Sequence, residues 1–170
     1  MTSEEFKIEV LPIKDKIFRF SRRLLGKLEE SEDVVQDVFI KLWSNREQIS
    51  EYRSVEAYAM VVTKNLCLDR LKAKRNKIYS QEEPQALTEE TPYKKTEMND
   101  TMEQVHKLIG SLPQQQQMII HLRDIEGMEF EDIGDMMGME INAIRVNLSR
   151  ARKKVRDALV KIQRYEYSGN

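Results

Sequence analysis

The stretch FEDIGDMMGMEINAIRVNLSRARKKVR, residues 130–156, decides the fold class. Phe130, Ile133, Met136 and Met137 recur at helical spacing and stop at Gly138, a residue suited to the left-handed position that ends a helix. A longer helical pattern follows within a few residues. On a wheel of 100° per residue, Ile144, Leu148, Ala151, Val155, Ala158, Leu159 and Ile162 fall in one stripe of about 100°. The opposite face carries Asn142, Arg145, Val146, Ser149, Arg150, Lys153 and Arg156. Short helix, glycine-containing turn and longer helix with a basic outer face make the helix-turn-helix pattern. Arg reads guanine bidentately, Asn reads adenine, and Lys chiefly places phosphate. A plain helical hairpin with a solvated basic face stays open as the structural alternative.

Working outward, the remaining chain is also helical in pattern. No Gly or Pro occurs between Lys27 and Glu83, and alternating strand patterns are absent. Residues 81–100 (QEEPQALTEETPYKKTEMND) are polar and acidic, without periodicity, and contain Pro84 and Pro92. They read as a flexible linker. The expected architecture is all-α, with two small helical domains at 1–80 and 101–165, the linker 81–100 between them and a tail at 166–170.

The 170 residues carry 28 Lys+Arg against 29 Asp+Glu, a formal net charge of −1. That total argues against a nucleic-acid partner only while position is ignored. Residues 145–170 hold 8 basic and 2 acidic residues, and Lys64–Lys77 hold six basic to one acidic. The acids gather in the linker and in 105–144. Local basic runs, not the average, are the footprint of phosphate binding.

In the first domain, Ser31 is placed to cap a helix whose core stripe is Val34, Val35, Val38, Phe39 and Leu42. Its other side gathers Asp33, Gln36, Asp37, Ile40 and Ser44, a polar ring around an apolar residue that suits a partner surface. The next helix starts after Ser54, with Val55, Tyr58, Ala59, Val62 and Leu66 inward, and Asn65 and Asp69 within or beside that arc as candidate buried polar groups. It runs out into Arg70, Lys72, Lys74, Arg75 and Lys77. A tyrosine-bearing helix with a basic end suits single-stranded nucleic acid.

Three segments, SEDVVQDVFIKLW (31–43), AYAMVVTKNLCLDRLKAKR (57–75) and the run from Leu112 to Arg156, resemble the extracytoplasmic-function (ECF) group of bacterial RNA polymerase sigma factors, in the right order. The resemblance implies a sigma-two domain that docks on the clamp helices of the polymerase β′ subunit and captures the minus-ten non-template strand. It also implies a sigma-four domain that reads the minus-thirty-five duplex and contacts the β flap. Carried onto this chain, docking falls on Asp33, Gln36, Asp37 and Lys41, joined by Ile40 from the same face. Minus-ten binding falls on Tyr58, Lys64, Asn65, Arg70, Lys72, Lys74 and Arg75. Minus-thirty-five binding falls on Arg145, Val146, Ser149 and Arg150, flanked on the wheel by Asn142 and Lys153, with an RAR-type signature at Arg150-Ala151-Arg152. Departures are Glu140 where a Ser or Thr often opens the recognition helix, Ala143-Ile144 for a Thr-Val pair, and Met60 where a second aromatic is common.

The resemblance further implies an anti-sigma partner. No catalytic residue, metal or cofactor is expected. Glu103-x-x-His106 is half of a di-iron pattern whose second half is missing, and one cysteine with two histidines cannot build a zinc site. One cysteine, Cys67, and no membrane-length apolar run lead to a cytoplasmic expectation. A stand-alone helix-turn-helix regulator is the alternative function.

Overall fold

The structure, a computed structural model, describes residues 1–80 and 100–169. The chain separates into two compact units divided between Tyr93 and Lys94. Every regular element among the described residues is helical.

The first unit opens with α1 (Ser3–Val10), held by a capping box in which Glu5 N–H donates to Thr2 Oγ1 at 3.2 Å and Thr2 N–H to Glu5 Oε2 at 2.8 Å. A 3₁₀ turn (Leu11–Ile13) leads into α2 (Lys14–Leu25), followed by α3 (Leu28–Ser44), a second 3₁₀ turn (Ile49–Glu51) and α4 (Val55–Ser80). Helices α2, α3 and α4 pack mutually. Val10, Ile17, Phe20, Val34, Val38, Leu42, Ala59, Met60 and Cys67 are fully buried between them. The buried hydroxyls of Ser21 and Thr63 are satisfied locally, each donating at 2.7 Å to the carbonyl four residues back, Ile17 and Ala59.

Two sequence expectations shift here. Ser31 does not cap α3, which begins three residues earlier, after Gly26 closes α2. Ser31 is buried inside the helix and its hydroxyl donates to the Lys27 carbonyl at 2.7 Å. The inward arc of α4 is turned toward Ala59, Met60, Thr63 and Cys67, so Val55 and Leu66 are only half-buried, and Asn65 and Asp69 are exposed. Ser54 does cap α4, its Oγ accepting from Ala57 N–H at 3.0 Å.

The second unit comprises α5 (Asp100–Gly110), α6 (Gln114–Ile120), a π-helical turn (His121–Ile125), α7 (Phe130–Met137) and α8 (Ile141–Ser168). Apart from Asp100, which opens α5, the expected linker lies outside the described residues. Helix α8 packs against α5, α6 and α7. Its Ile144, Leu148, Ala151 and Val155 are buried with Ile109, Ile119, Leu122, Ile133 and Met136. Helix α8 runs on through Ser168, so residues 166–168 of the expected tail are helical. Inside the π turn, His121 Nε2 lies 3.2 Å from Glu126 Oε1, both side chains buried.

The α7–α8 turn explains its glycines. Gly138 sits at φ 63°, the left-handed region that side chains other than Asn and Asp seldom enter. At Gly134 the backbone closes back on itself: Met139 N–H donates to Gly134 O at 3.0 Å, and a Cβ on Gly134 would stand 3.0 Å from Met139 O.

Candidate nucleic-acid interface

On α3 the residues fall cleanly onto two sides. Val34, Val35, Val38 and Leu42 face the core, while Asp33, Gln36, Asp37, Ile40 and Lys41 are all exposed, Ile40 at 66 %. An apolar side chain that open, ringed by polar groups, contributes little to packing in this unit. One turn further, Trp43 is partly exposed, with Phe6 of α1 edge-on at 5.1 Å and the Arg46 guanidinium 4.2 Å above its ring.

The α3 face and the basic end of α4 meet. Arg70 Nη2 lies 3.0 Å from Asp37 Oδ2, and Lys74 Nζ lies 2.6 Å from Glu30 Oε2. Two of the residues expected at the minus-ten element are thus engaged by α3 carboxylates, one of them an expected docking residue. Lys72, Arg75 and Asn65 are exposed. Lys64 is half-buried, and loss of solvent lowers its pKa from the ordinary lysine value.

Tyr58 is buried: its hydroxyl accepts from Asn45 Nδ2 at 3.2 Å and its ring packs 4.2 Å from that of Tyr52. The ring open to solvent at this place is Tyr52's, 44 % exposed. Sequence reasoning missed Tyr52 because it sought aromatics inside the helix. The available signal was a tyrosine two residues ahead of the Ser54 cap. Met60, at the second aromatic position, is a core residue.

The outer face of α8 presents Asn142, Arg145, Val146, Ser149, Arg150 and Lys153, all exposed. Between this face and the start of α7 lies a cleft of about 340 Å³, lined by Phe130, Arg145, Leu148, Ser149, Arg152, Lys153 and Arg156. Four cationic side chains around one cleft suit a phosphate-bearing ligand. They are not equivalent. Arg152 grips Asp124 with both ends of its fork, Nε to Oδ2 at 2.8 Å and Nη2 to Oδ1, and this hydrogen bonding raises its pKa further. Within Arg150-Ala151-Arg152, therefore, Ala151 is core, Arg152 ties α8 to the π turn, and Arg150 faces outward.

Three further residues adjoin this face, of which the sequence reading names only Phe130, as part of the apolar stripe of α7. Phe130 is half-buried, not core, and the guanidiniums of Arg123 and Arg145 stand over its ring at 4.3 and 5.1 Å. Arg123 is fixed in turn, its Nη1 donating to Met128 O at 2.8 Å. Asp124 is the third. Among the described residues no group of His, Cys, Asp or Glu side chains could hold a metal ion, and no helix is long and apolar enough to cross a membrane.

The Sigma-70 region 2 family matches residues 12–77, and the Sigma-70, region 4 family matches residues 102–155, together more than half of the chain. The ECF RNA polymerase sigma factor SigE of Mycolicibacterium smegmatis is 27 % identical over 154 residues, covering 86 % of this chain and 58 % of its own length. The ECF RNA polymerase sigma factor SigW of Bacillus subtilis is 24 % identical over 160 residues, covering 86 % of this chain and 84 % of its own. The chain thus spans somewhat more than half of the first relative and most of the second. Among solved structures, the sigma factor RpoE of Bartonella quintana, crystallised with the anti-sigma factor NepR, superposes with a TM-score of 0.77 at 21 % identity, covering 92 % of this chain and 97 % of that one. CnrH, in complex with the cytosolic domain of CnrY, gives 0.69 at 20 % identity, covering 94 % and 90 %. At such identities these two likenesses speak for the fold.

Proposed function

Because the chain belongs to the sigma-70 family of RNA polymerase sigma factors, in its ECF group, we propose that it binds core RNA polymerase and directs it to specific promoters. The observation that carries the proposal is the presence of both sigma regions, in order, on one chain. A stand-alone helix-turn-helix regulator would use the second unit and leave the exposed α3 face without a purpose.

In this reading Asp33, Gln36, Asp37, Ile40 and Lys41 dock on the β′ clamp helices. The α4 face carrying Lys64, Asn65, Arg70, Lys72, Lys74 and Arg75 receives the minus-ten strand beside Tyr52, with Tyr58 buttressing that ring from beneath. Asn142, Arg145, Val146, Ser149, Arg150 and Lys153 enter the major groove of the minus-thirty-five element, and the second unit contacts the β flap. Unstacking a base costs a few kcal/mol. Stacking on Tyr52 and phosphate contacts on α4 offset part of that cost, and duplex binding by α8 supplies the affinity that holds polymerase in place. Nucleotidyl transfer belongs to the polymerase, and this chain contributes recognition in the cytoplasm. An anti-sigma factor that covers the polymerase- and DNA-facing surfaces is the regulatory partner such a chain would have. The acidic residues 81–99, outside the described residues, serve as the tether between the two units.

Purified chain added to core polymerase on a library of genomic fragments tests the proposal. The expected result is stable association with core and initiation from a restricted set of fragments that share two spaced elements. Binding to duplex DNA without association with core polymerase would overturn it in favour of a stand-alone regulator.

A further inference from the structure

We propose that Phe130 is a positioning residue for base reading by Arg145, a role that rests on the promoter-binding function proposed above. Arg145 lies on the outer face of α8, exposed, and meets no carboxylate among the described residues. Reading guanine bidentately requires the guanidinium plane to be held while its N–H donors stay free. Two ways of holding an arginine appear on this one helix face, two turns apart. Asp124 holds Arg152 through its N–H groups and thereby occupies them. Phe130 holds Arg145 through the negative face of its ring, 5.1 Å from the guanidinium carbon, and leaves the donors unspent.

The ring is itself anchored. It opens α7, is half-buried, and lies under Arg123, whose guanidinium stands 4.3 Å away and is tied to the Met128 carbonyl at 2.8 Å. The π turn, α7 and α8 are therefore linked through one aromatic ring. Phe130 also lines the cleft of about 340 Å³ beside α8, so the ring borders the space that a DNA strand would enter. Residue 130 never needs to touch a base to influence which base is chosen.

The test is selection of duplexes randomised over the minus-thirty-five element, using the full chain assembled with core polymerase. Wild type is compared with Arg145→Ala, Phe130→Leu, Phe130→Tyr and the double variant Phe130→Leu with Arg145→Ala. Phe130→Met provides a second flexible apolar side chain should Leu impair folding. Phe130→Leu or Met is expected to reduce preference about two- to fivefold at the base position whose preference Arg145→Ala erases. Phe130→Tyr should keep that preference, and the Phe130 change should have no further effect on it once Arg145 is gone. Equal loss of affinity for every sequence, or the same loss in the Arg145→Ala background, would make Phe130 a packing residue and overturn the proposal. If Arg145→Ala loses preference while Phe130→Leu and Met keep it in full, promoter reading stands and the positioning role falls. If wild type has no sequence preference at all, both fall.

Discussion

Replacing Arg152 by Ala separates two roles open to a cation beside DNA. Its bidentate grip on Asp124 spans 28 residues of sequence and joins α8 to the π turn. The two side chains keep 53 % and 33 % of their surface exposed, so solvent and salt screen the pair. Exposed pairs contribute about 0.2–1 kcal/mol, and the fork-to-carboxylate geometry puts this one near the upper end. A loss of about 1 kcal/mol lowers the melting temperature of a unit this size by about 4–8 °C. A phosphate contact would behave differently, since removing one flattens the dependence of log K on log salt by about 1. The single tryptophan, Trp43, is in the first unit. Tryptophan fluorescence therefore follows that unit alone, and circular dichroism follows both. Arg152→Ala should lower only the transition that fluorescence does not see, and leave the salt slope of duplex binding intact. Lys153→Ala, at an exposed cation of the same face, should leave melting unchanged and flatten that slope by about 1. A double-mutant cycle with Asp124→Ala should return about 0.5–1 kcal/mol of coupling. If Arg152→Ala flattens the salt slope by about 1 and leaves melting unchanged, Arg152 is a DNA contact and the tie is incidental.

Gln36→Ala combined with Asp37→Ala should reduce association with core polymerase without loss of helicity, and normal association would remove α3 from the docking surface. Tyr52→Ala should weaken capture of a single-stranded minus-ten oligonucleotide by about 1–3 kcal/mol in anisotropy titrations of the holoenzyme. Tyr58→Phe, which removes only the hydroxyl that Asn45 reaches, should leave capture unaltered, and the opposite ranking would restore Tyr58 as the contact. Burial pushes the Cys67 thiol up to about 11, so iodoacetamide at pH 8 should modify it only on unfolding. Because the folded pKa is the raised one, its stabilising contribution is complete below about pH 9.0, the ordinary thiol value, and is lost as pH rises toward 11. The fluorescence-detected urea midpoint should therefore fall more steeply over that range than in Cys67→Ala. Gly134→Val should cost about 1–3 kcal/mol through overpacking against Met139 O and weaken duplex binding, and an unaltered melt would mean the α7–α8 turn yields freely.

Helix α8 and the turn before it are legible in the sequence because a buried stripe sustained over several turns leaves one phase for the wheel, and Gly138 marks the break. The α4 wheel was harder to read. Thr63 is fully buried because its hydroxyl bonds back to Ala59, and Met60 and Cys67 fill the same interior, so an arc drawn through Val55 and Leu66 pointed to one side of the true core. Asn65 and Asp69, expected within or beside that arc, face solvent instead. Ser31 failed for a related reason. A serine near a helix start can cap from outside or bond back from within, and what decides is where the preceding helix stops, here Gly26. The long-range pairs Asp37–Arg70, Glu30–Lys74 and Asp124–Arg152 have no local signature, since each depends on how separate helices come together.

Those pairs sharpen what a net charge of −1 means in this chain. Part of the cancellation is local neutralisation: Glu30, Asp37 and Asp124 each take up a cation from a helix expected to face DNA. Other cations of these two helices, among them Lys72 and Arg75 on α4 and Arg145, Arg150 and Lys153 on α8, are exposed and meet no carboxylate among the described residues. Counterion release on binding depends on the charges that reach phosphate, not on the sum over the chain. A protein whose total charge predicts indifference to DNA can therefore carry strongly salt-dependent binding on two small faces. The Asp37–Arg70 contact adds a consequence. An expected docking residue and an expected minus-ten residue share one ion pair, so if Asp37 docks as proposed, a partner that takes up its carboxylate releases the Arg70 guanidinium.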